Sequence, residues 1–256
     1  MHPILFSIGD FHFRTYTLTS IVAMVISMVV VRSEVRRLKW PIENPIWFTA
    51  QCTLLGWVGA HLLYAITRFN DYDWLPWLKL TFIDWGHGNV WFGGFLLTWG
   101  FIHVVAKRKG IPILAMWDVG CFAANVALAF GRWGCFFGGC CYGSPTDLPT
   151  HYWVPNREGY TGWLHPTPVY EFTFLMIVFA WLWRRRKRNT YDGQTAVNYL
   201  LTTSLGRIVI ECFRGDTIRG FVLGPITTSQ FLGLALFITG VVFHFRFNPK
   251  YKAKQS

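Results

Sequence analysis

Seven apolar windows, near residues 15–31, 46–66, 88–106, 112–131, 169–183, 195–213 and 226–245, occupy most of this sequence. A helix crosses the hydrocarbon core of a bilayer with about 20 apolar residues, so a chain carrying seven such windows in 256 residues has little length left for a soluble domain. The pattern predicts an all-α integral membrane protein of seven transmembrane helices, one polytopic domain over residues 1–256. The fifth window is short and the sixth carries polar residues. A composition 52% hydrophobic and only 14% charged agrees, being too apolar for an ordinary soluble domain. No cleavable signal peptide is visible, and no internal repeat of the kind that builds inverted-repeat carriers.

The net charge of +11 raises the question of a nucleic-acid partner, but its placement argues against one. The basic residues fall in short runs after windows one, three, five and seven: Arg32, Arg36, Arg37 and Lys39; Lys107 to Lys109; Arg184 to Arg188; and Arg246, Lys250, Lys252 and Lys254. That places sixteen of the 24 on one side, the cytoplasmic one by the positive-inside rule, with the N-terminus outside and the C-terminus in the cytoplasm. The outer loops that follow are an aromatic, amphipathic piece over 68–86, a proline-rich stretch over 144–168 and a short polar turn over 214–225.

The fourth window runs into Gly131-Arg-Trp-Gly-Cys-Phe-Phe-Gly-Gly-Cys-Cys-Tyr-Gly143. Glycine at this density lets backbone leave helical geometry and approach a ligand, which suggests a glycine-rich loop after the fourth helix. Irregular backbone at membrane depth is tolerated only inside protein or along a wet cavity. Arg132 there costs roughly 2.5 to 3.5 kcal/mol on insertion scales, so it marks a site by default. Together they suggest a pocket for an anion; the alternative is a helix-end turn with Arg132 snorkelling to lipid phosphate. Of the six cysteines, Cys52, Cys121 and Cys212 are isolated apolar fillers. Cys135, Cys140 and Cys141 share the glycine-rich stretch, but their spacing is not a paired zinc pattern, and a disulfide between neighbours Cys140 and Cys141 is geometrically unfavourable. No metal or cofactor is expected, and the role of these three stays open.

Arg207 and Glu211 are four apart in the sixth window, and Arg214 follows three later, so all share one helix face. A charged face inside a span points into the bundle or a cavity. Two arginines around one glutamate leave net positive charge, and the guanidinium fork suits phosphate oxygens. Arg132, at a similar depth, adds a second source. His165 to Glu171 enter the fifth window, with Glu171 favourably placed in the first turn for the helix dipole. Tyr16 opens the first window, and His87, before the third, is a candidate base.

These residues resemble the prolipoprotein diacylglyceryl transferases of bacterial membranes. The likeness rests on Gly131-Arg132-x-Gly-x-Phe136 through Gly143, on His165-Pro-x-x-x-Tyr170-Glu171, and on Arg207-x-x-x-Glu211-x-Phe213-Arg214, supported by Phe92-Gly93-Gly94, Tyr16 and Ser229-Gln230 in the family's order. The resemblance implies transfer of the diacylglyceryl group from phosphatidylglycerol to the lipobox cysteine of a preprolipoprotein, in the inner membrane, with the site toward the outer leaflet. It implies that Arg132 and Arg207 serve the phosphate, Glu211 and Arg214 hold Arg207, Tyr16 lines the pocket, and Cys135, Gly143, His165, Tyr170 and Glu171 contact substrate. The base is open among His87, Glu211 and the thiol's own surroundings.

The chain departs from the family where a proposed histidine base is Phe92, where an asparagine of the signature is Cys135, where a glutamine is Pro168, and where a tyrosine before Arg207 is Thr203. The departures at Phe92, Cys135 and Pro168 keep in play a paralogue with the same donor and another acceptor; a lipid- or anion-transport protein with the arginines as its site, and a membrane thiol-redox protein using Cys135, Cys140 and Cys141, are the other readings.

Overall fold

The computed structural model describes residues 4–9, 11–71, 73–82, 90–155, 161–215, 220–223 and 226–248. Helix dominates them: α1 (Thr15–Arg37), α2 (Pro45–Thr67), a short α3 (Trp74–Phe82), α4 (Trp91–Lys109), α5 (Ile113–Gly138), α6 (Thr167–Arg185), α7 (Gln194–Glu211) and α8 (Thr228–Phe247). Each of the seven apolar windows holds one of the long helices. Among the described residues four of these, α1, α2, α5 and α8, are long and apolar enough to cross a membrane. The polar sixth window is α7, where Arg207 and Glu211 interrupt the apolar run.

Local chemistry sets the helix ends. Asn44 caps α2 by accepting from the Trp47 N–H, with Pro45 at the first turn, where its missing N–H costs nothing. Gly110, at φ 65°, ends α4 behind Lys107, Arg108 and Lys109, cations that complement the C-terminal end of the dipole. Thr227 and Gln230 form a reciprocal capping box on α8. The α7 terminus is capped from another helix: Asp118 of α5 accepts from the Gly193 N–H at 2.9 Å and the Ala196 N–H at 2.8 Å.

Short strands accompany the helices. Three antiparallel two-stranded hairpins, β1 (Ile4–Ile8) with β2 (Phe11–Arg14), β3 (Tyr152–Pro155) with β4 (Thr161–Leu164), and β5 (Phe221–Leu223) with β6 (Ile226–Thr227), lead into α1, α6 and α8. The middle one lies in the proline-rich stretch, where proline forbids helix but tolerates short edge strands. The glycine-rich stretch is a loop only in its second part. α5 runs through Gly138, and only Gly139, at φ 69°, turns the chain out of it. Of the glycines inside the helix, Gly134 serves close packing: a Cβ there would lie 2.6 Å from Tyr16 Cδ2, the small-residue contact that membrane helices favour.

The helices gather into two compact units, Met28–Met116 and Met1–Ser27 with Trp117–Ser256. In the first, α2 and α4 cross at Gly56, Gly59, Gly93 and Gly94, close enough that a Cβ on Gly93 would sit 2.2 Å from the Gly59 carbonyl oxygen. A small core of Ala106, Ile111 and Met116 lies under Trp40, Phe48 and Ile102. In the second, α6, α7 and α8 pack side by side, Gly206 of α7 receives the Phe174 ring of α6, and buried Asn125 of α5 donates to the Leu175 carbonyl at 2.9 Å.

Candidate active site

The site is assembled by a backbone clasp joining three segments far apart in sequence. Beyond α5, Gly143 bridges to Arg214 and donates its N–H to the His165 carbonyl at 2.9 Å. The Ser144 N–H donates to the Phe213 carbonyl at 2.9 Å, and the His165 N–H to the Ser144 carbonyl at 3.0 Å. A Cβ on Gly143 would sit 2.4 Å from His165 Cβ and 2.7 Å from the Phe213 carbonyl oxygen, so only glycine fits where the strands cross. Thr167 Oγ1 adds a bond to the Cys141 carbonyl at 2.6 Å. The clasp ties the end of α5, the start of α6 and the end of α7 together.

Directly beyond it the charged side chains converge. Glu171, just past the first turn of α6, takes Arg132 Nε of α5 on one carboxylate oxygen and Arg207 Nη1 of α7 on the other. Arg207 Nη2 lies 3.0 Å from Glu211 Oε2 and donates to Ser229 Oγ of α8 at 3.0 Å. Arg214 Nη1 is 3.9 Å from Glu211 Oε2. Both carboxylates are buried, Glu211 almost completely. Buried charges survive only when paired and hydrogen-bonded, and stripping one partner costs about 3–5 kcal/mol. Three guanidinium groups against two carboxylates leave one net positive charge, which suits a singly charged anion with forked oxygens.

Beside this junction lies a cleft of about 670 Å³ between α6 and α7. Phe174, Ile177, Trp181, Leu205, Val209 and Phe213 line it, and His165 and Tyr170 stand at the end nearest the clasp. Tyr170 Oη lies 3.2 Å from His165 Nδ1 and 2.8 Å from Thr150 Oγ1. A polar, positively charged head with an apolar trough at its side is the shape an anionic lipid requires.

On the other flank of Arg132 lie three thiols. Cys135 in the last turn of α5 and Cys140 and Cys141 beyond it hold their sulfurs within 4.8 Å of one another. Arg132 Nη1 donates to Cys141 Sγ at 3.6 Å. Hydrogen bonds from the Cys135 and Cys140 thiols, and then the charges of Arg132 and Arg214, hold the Cys141 thiol below the ordinary cysteine range against the opposing effect of burial.

The structure thus brings together Arg132, Arg207, Glu211, Arg214 and Glu171, and sets Cys135, Gly143, His165 and Tyr170 around them. Tyr16 stays half-exposed, its ring over Gly134, two residues beyond Arg132. His87 lies outside the described residues. Of the positions that depart from the family pattern, Phe92 is half-exposed, Pro168 is buried in the first turn of α6, and Thr203 bonds the Tyr199 carbonyl within its own helix. Two roles escaped the sequence. Glu171 was credited with a dipole contact, yet it joins the two arginines. Ser229 was only a marker at the start of the last window, yet it receives Arg207; a hydroxyl in the first turn of an otherwise apolar helix was its signal.

Residues 3–246 match the family model described as prolipoprotein diacylglyceryl transferase. A phosphatidylglycerol–prolipoprotein diacylglyceryl transferase of Clostridium tetani is 33% identical over 247 residues, covering 94% of this chain and 96% of the relative. The protein of that name from Thermotoga maritima is 32% identical, covering 92% and 81%, and that from Gloeobacter violaceus 30%, covering 94% and 90%. The clasped arginine pair and the match along nearly the whole chain lead to one conclusion: the chain belongs to the prolipoprotein diacylglyceryl transferase family.

Proposed function

We propose that this protein transfers the diacylglyceryl group of phosphatidylglycerol to the lipobox cysteine thiol of a preprolipoprotein, forming a thioether and releasing glycerol phosphate. The observation that carries this is the meeting of Arg132 and Arg207, from different helices, on the one carboxylate of Glu171. The sulfur attacks the diacylglyceryl carbon that bears the phosphate, the C–O bond breaks, and its electron pair leaves on the phosphate. Charge therefore grows from one to two at the leaving group, where fixed guanidinium donors in a water-poor site stabilise the transition state more than the ground state. Arg132 and Arg207 bind that phosphate, Glu211 and Arg214 hold Arg207, and Glu171 sets the spacing of the pair. The α6–α7 cleft holds an acyl chain, and Gly143 keeps the clasp closed, with His165 and Tyr170 at the headgroup end.

The reaction runs in a single polytopic domain of seven spans in the bacterial inner membrane, N-terminus outside, C-terminus cytoplasmic, with the site toward the outer leaflet. The basic runs after windows one, three, five and seven support this, as do the hairpins, which precede the first, fifth and seventh long helices and so share one side in an alternating topology. The test is mass spectrometry of a lipobox peptide incubated with purified protein and labelled phosphatidylglycerol vesicles. The expected product is a peptide heavier by one diacylglyceryl group on its cysteine, with one glycerol phosphate released per peptide modified. Donor bound without product points instead to another acceptor.

A further inference from the structure

The transfer reading carries one chemical need that the arginine junction does not itself meet. An acceptor thiol near neutral pH is mostly protonated, with an ordinary pKa of about 8.5, and only its thiolate is a good nucleophile. The carboxylates at the arginine junction are each already taken up by an arginine ion pair. The unabsorbed feature beside that junction is the cysteine trio. We propose that Cys135, Cys140 and Cys141 bind one thiophilic metal ion, Zn²⁺ by the chemistry of the donors, whose remaining coordination position takes and deprotonates the acceptor thiol; the second half of this rests on the transferase reading.

Three sulfurs bonded to one zinc at about 2.3 Å stand about 3.8–4.0 Å from one another. The three here lie within 4.8 Å, so modest side-chain rotation closes them on an ion. The backbone is bent to make this set: Gly139 and Cys141 both have positive φ, 69° and 59°, and these two left-handed residues fold the chain back so that Cys141 returns to Cys135. A non-glycine residue held there is strained, and the Thr167 bond to the Cys141 carbonyl holds it. Thiolate donors select Zn²⁺ or Cu⁺ over magnesium or calcium. Among the described residues the group has three members, the number with which a protein holds zinc when a fourth position is kept for substrate.

Position completes the case. Three thiolates around a divalent ion carry one net negative charge, and Arg132, 3.6 Å from Cys141 Sγ, offsets it while its Nε engages Glu171. One guanidinium thereby touches both the phosphate junction and the thiols, which puts nucleophile and leaving group on either side of it. A metal-bound thiol is deprotonated outright. The acceptor loses its S–H proton to solvent on coordination, its sulfur pair then forms the C–S bond as the C–O bond to phosphate breaks, and the ion keeps its oxidation state throughout.

The experiment uses full-length protein in detergent, reduced and chelator-stripped, with Zn²⁺ content measured after dialysis and Co²⁺ as the spectroscopic probe. Expected are one ion per chain and intense thiolate-to-cobalt bands, lost in Cys135→Ser and Cys141→Ser and kept in Cys52→Ser. A lipobox peptide shifts the cobalt bands and its cysteine-to-serine counterpart does not; this readout needs no folded cysteine variant. Substoichiometric metal, bands indifferent to the serine variants, a spectrum unmoved by the cysteine peptide, or an oxidised pair among the three thiols overturns the proposal. Full thioether yield from stripped protein also overturns it while leaving the transferase reading intact. Metal and peptide binding as expected, with no product from phosphatidylglycerol, sustains the metal site and defeats the transferase reading instead.

Discussion

The α2–α4 crossing and the α5–α6–α7 junction join helices by opposite means. At the first, Gly56, Gly59, Gly93 and Gly94 bring backbone against backbone with no room for a methyl group, and contact is dispersion between surfaces that lipid would otherwise cover. At the second, three arginines and two buried glutamates hold the helices through charge. Packing alone does not need charge, and charge in a membrane is retained where it handles something charged. Glycine-rich sequence opens both regions, yet in one it is structure and in the other it makes way for a reactive site.

The largest separation between the two regions comes from Gly93→Leu. Overpacking costs about 1–3 kcal/mol in a yielding core, and here the added carbon meets the Gly59 carbonyl, so the expected outcome is loss of monodisperse folded protein in detergent, read by size exclusion and thermal unfolding. A folded but inactive Gly93→Leu would move that glycine pair from packing to chemistry and break the comparison. At the junction, Glu171→Gln removes the charge that spaces Arg132 and Arg207. Its kcat/KM is expected to fall about 100-fold, the scale of a displaced catalytic group, with an unfolding midpoint lowered less than in Gly93→Leu. Phosphatidylglycerol should raise that midpoint more in Glu171→Gln than in the parent, because the phosphate restores the missing negative charge. The smallest effect belongs to Asp118→Ala. It removes both acceptors at the α7 terminus and should cost about 1 kcal/mol of stability with kcat within twofold of the parent.

How much of this was legible in the sequence follows the range of the interactions. The seven windows announced seven helices because a spanning helix needs only its own residues to be apolar. The Arg207–Glu211–Arg214 face was legible for the same reason, since neighbours four and three apart meet within one helix. The Arg132–Glu171 pair was not: it depends on the clasp at Gly143, whose partners His165, Phe213 and Arg214 come from two other segments. The cysteine trio stayed open because its spacing matches no zinc pattern, and the positive φ of Cys141 that brings its sulfur back to Cys135 is a property of the fold. Gly93 and Gly94 stood out as a motif, while their partners Gly56 and Gly59 passed unnoticed in an apolar window.

The most direct measurement is a double-mutant cycle on Arg132→Ala and Arg207→Ala, reading thioether formation from phosphatidylglycerol and a lipobox peptide under single-turnover conditions. With both guanidinium groups on one carboxylate and one phosphate, each single variant should lose on the order of 10²–10³ in rate. The double variant should lose little more than the worse single, as groups acting as a unit do. Near-parent turnover in either single variant, or losses that multiply in the double, would mean that Arg132 and Arg207 do not share a phosphate.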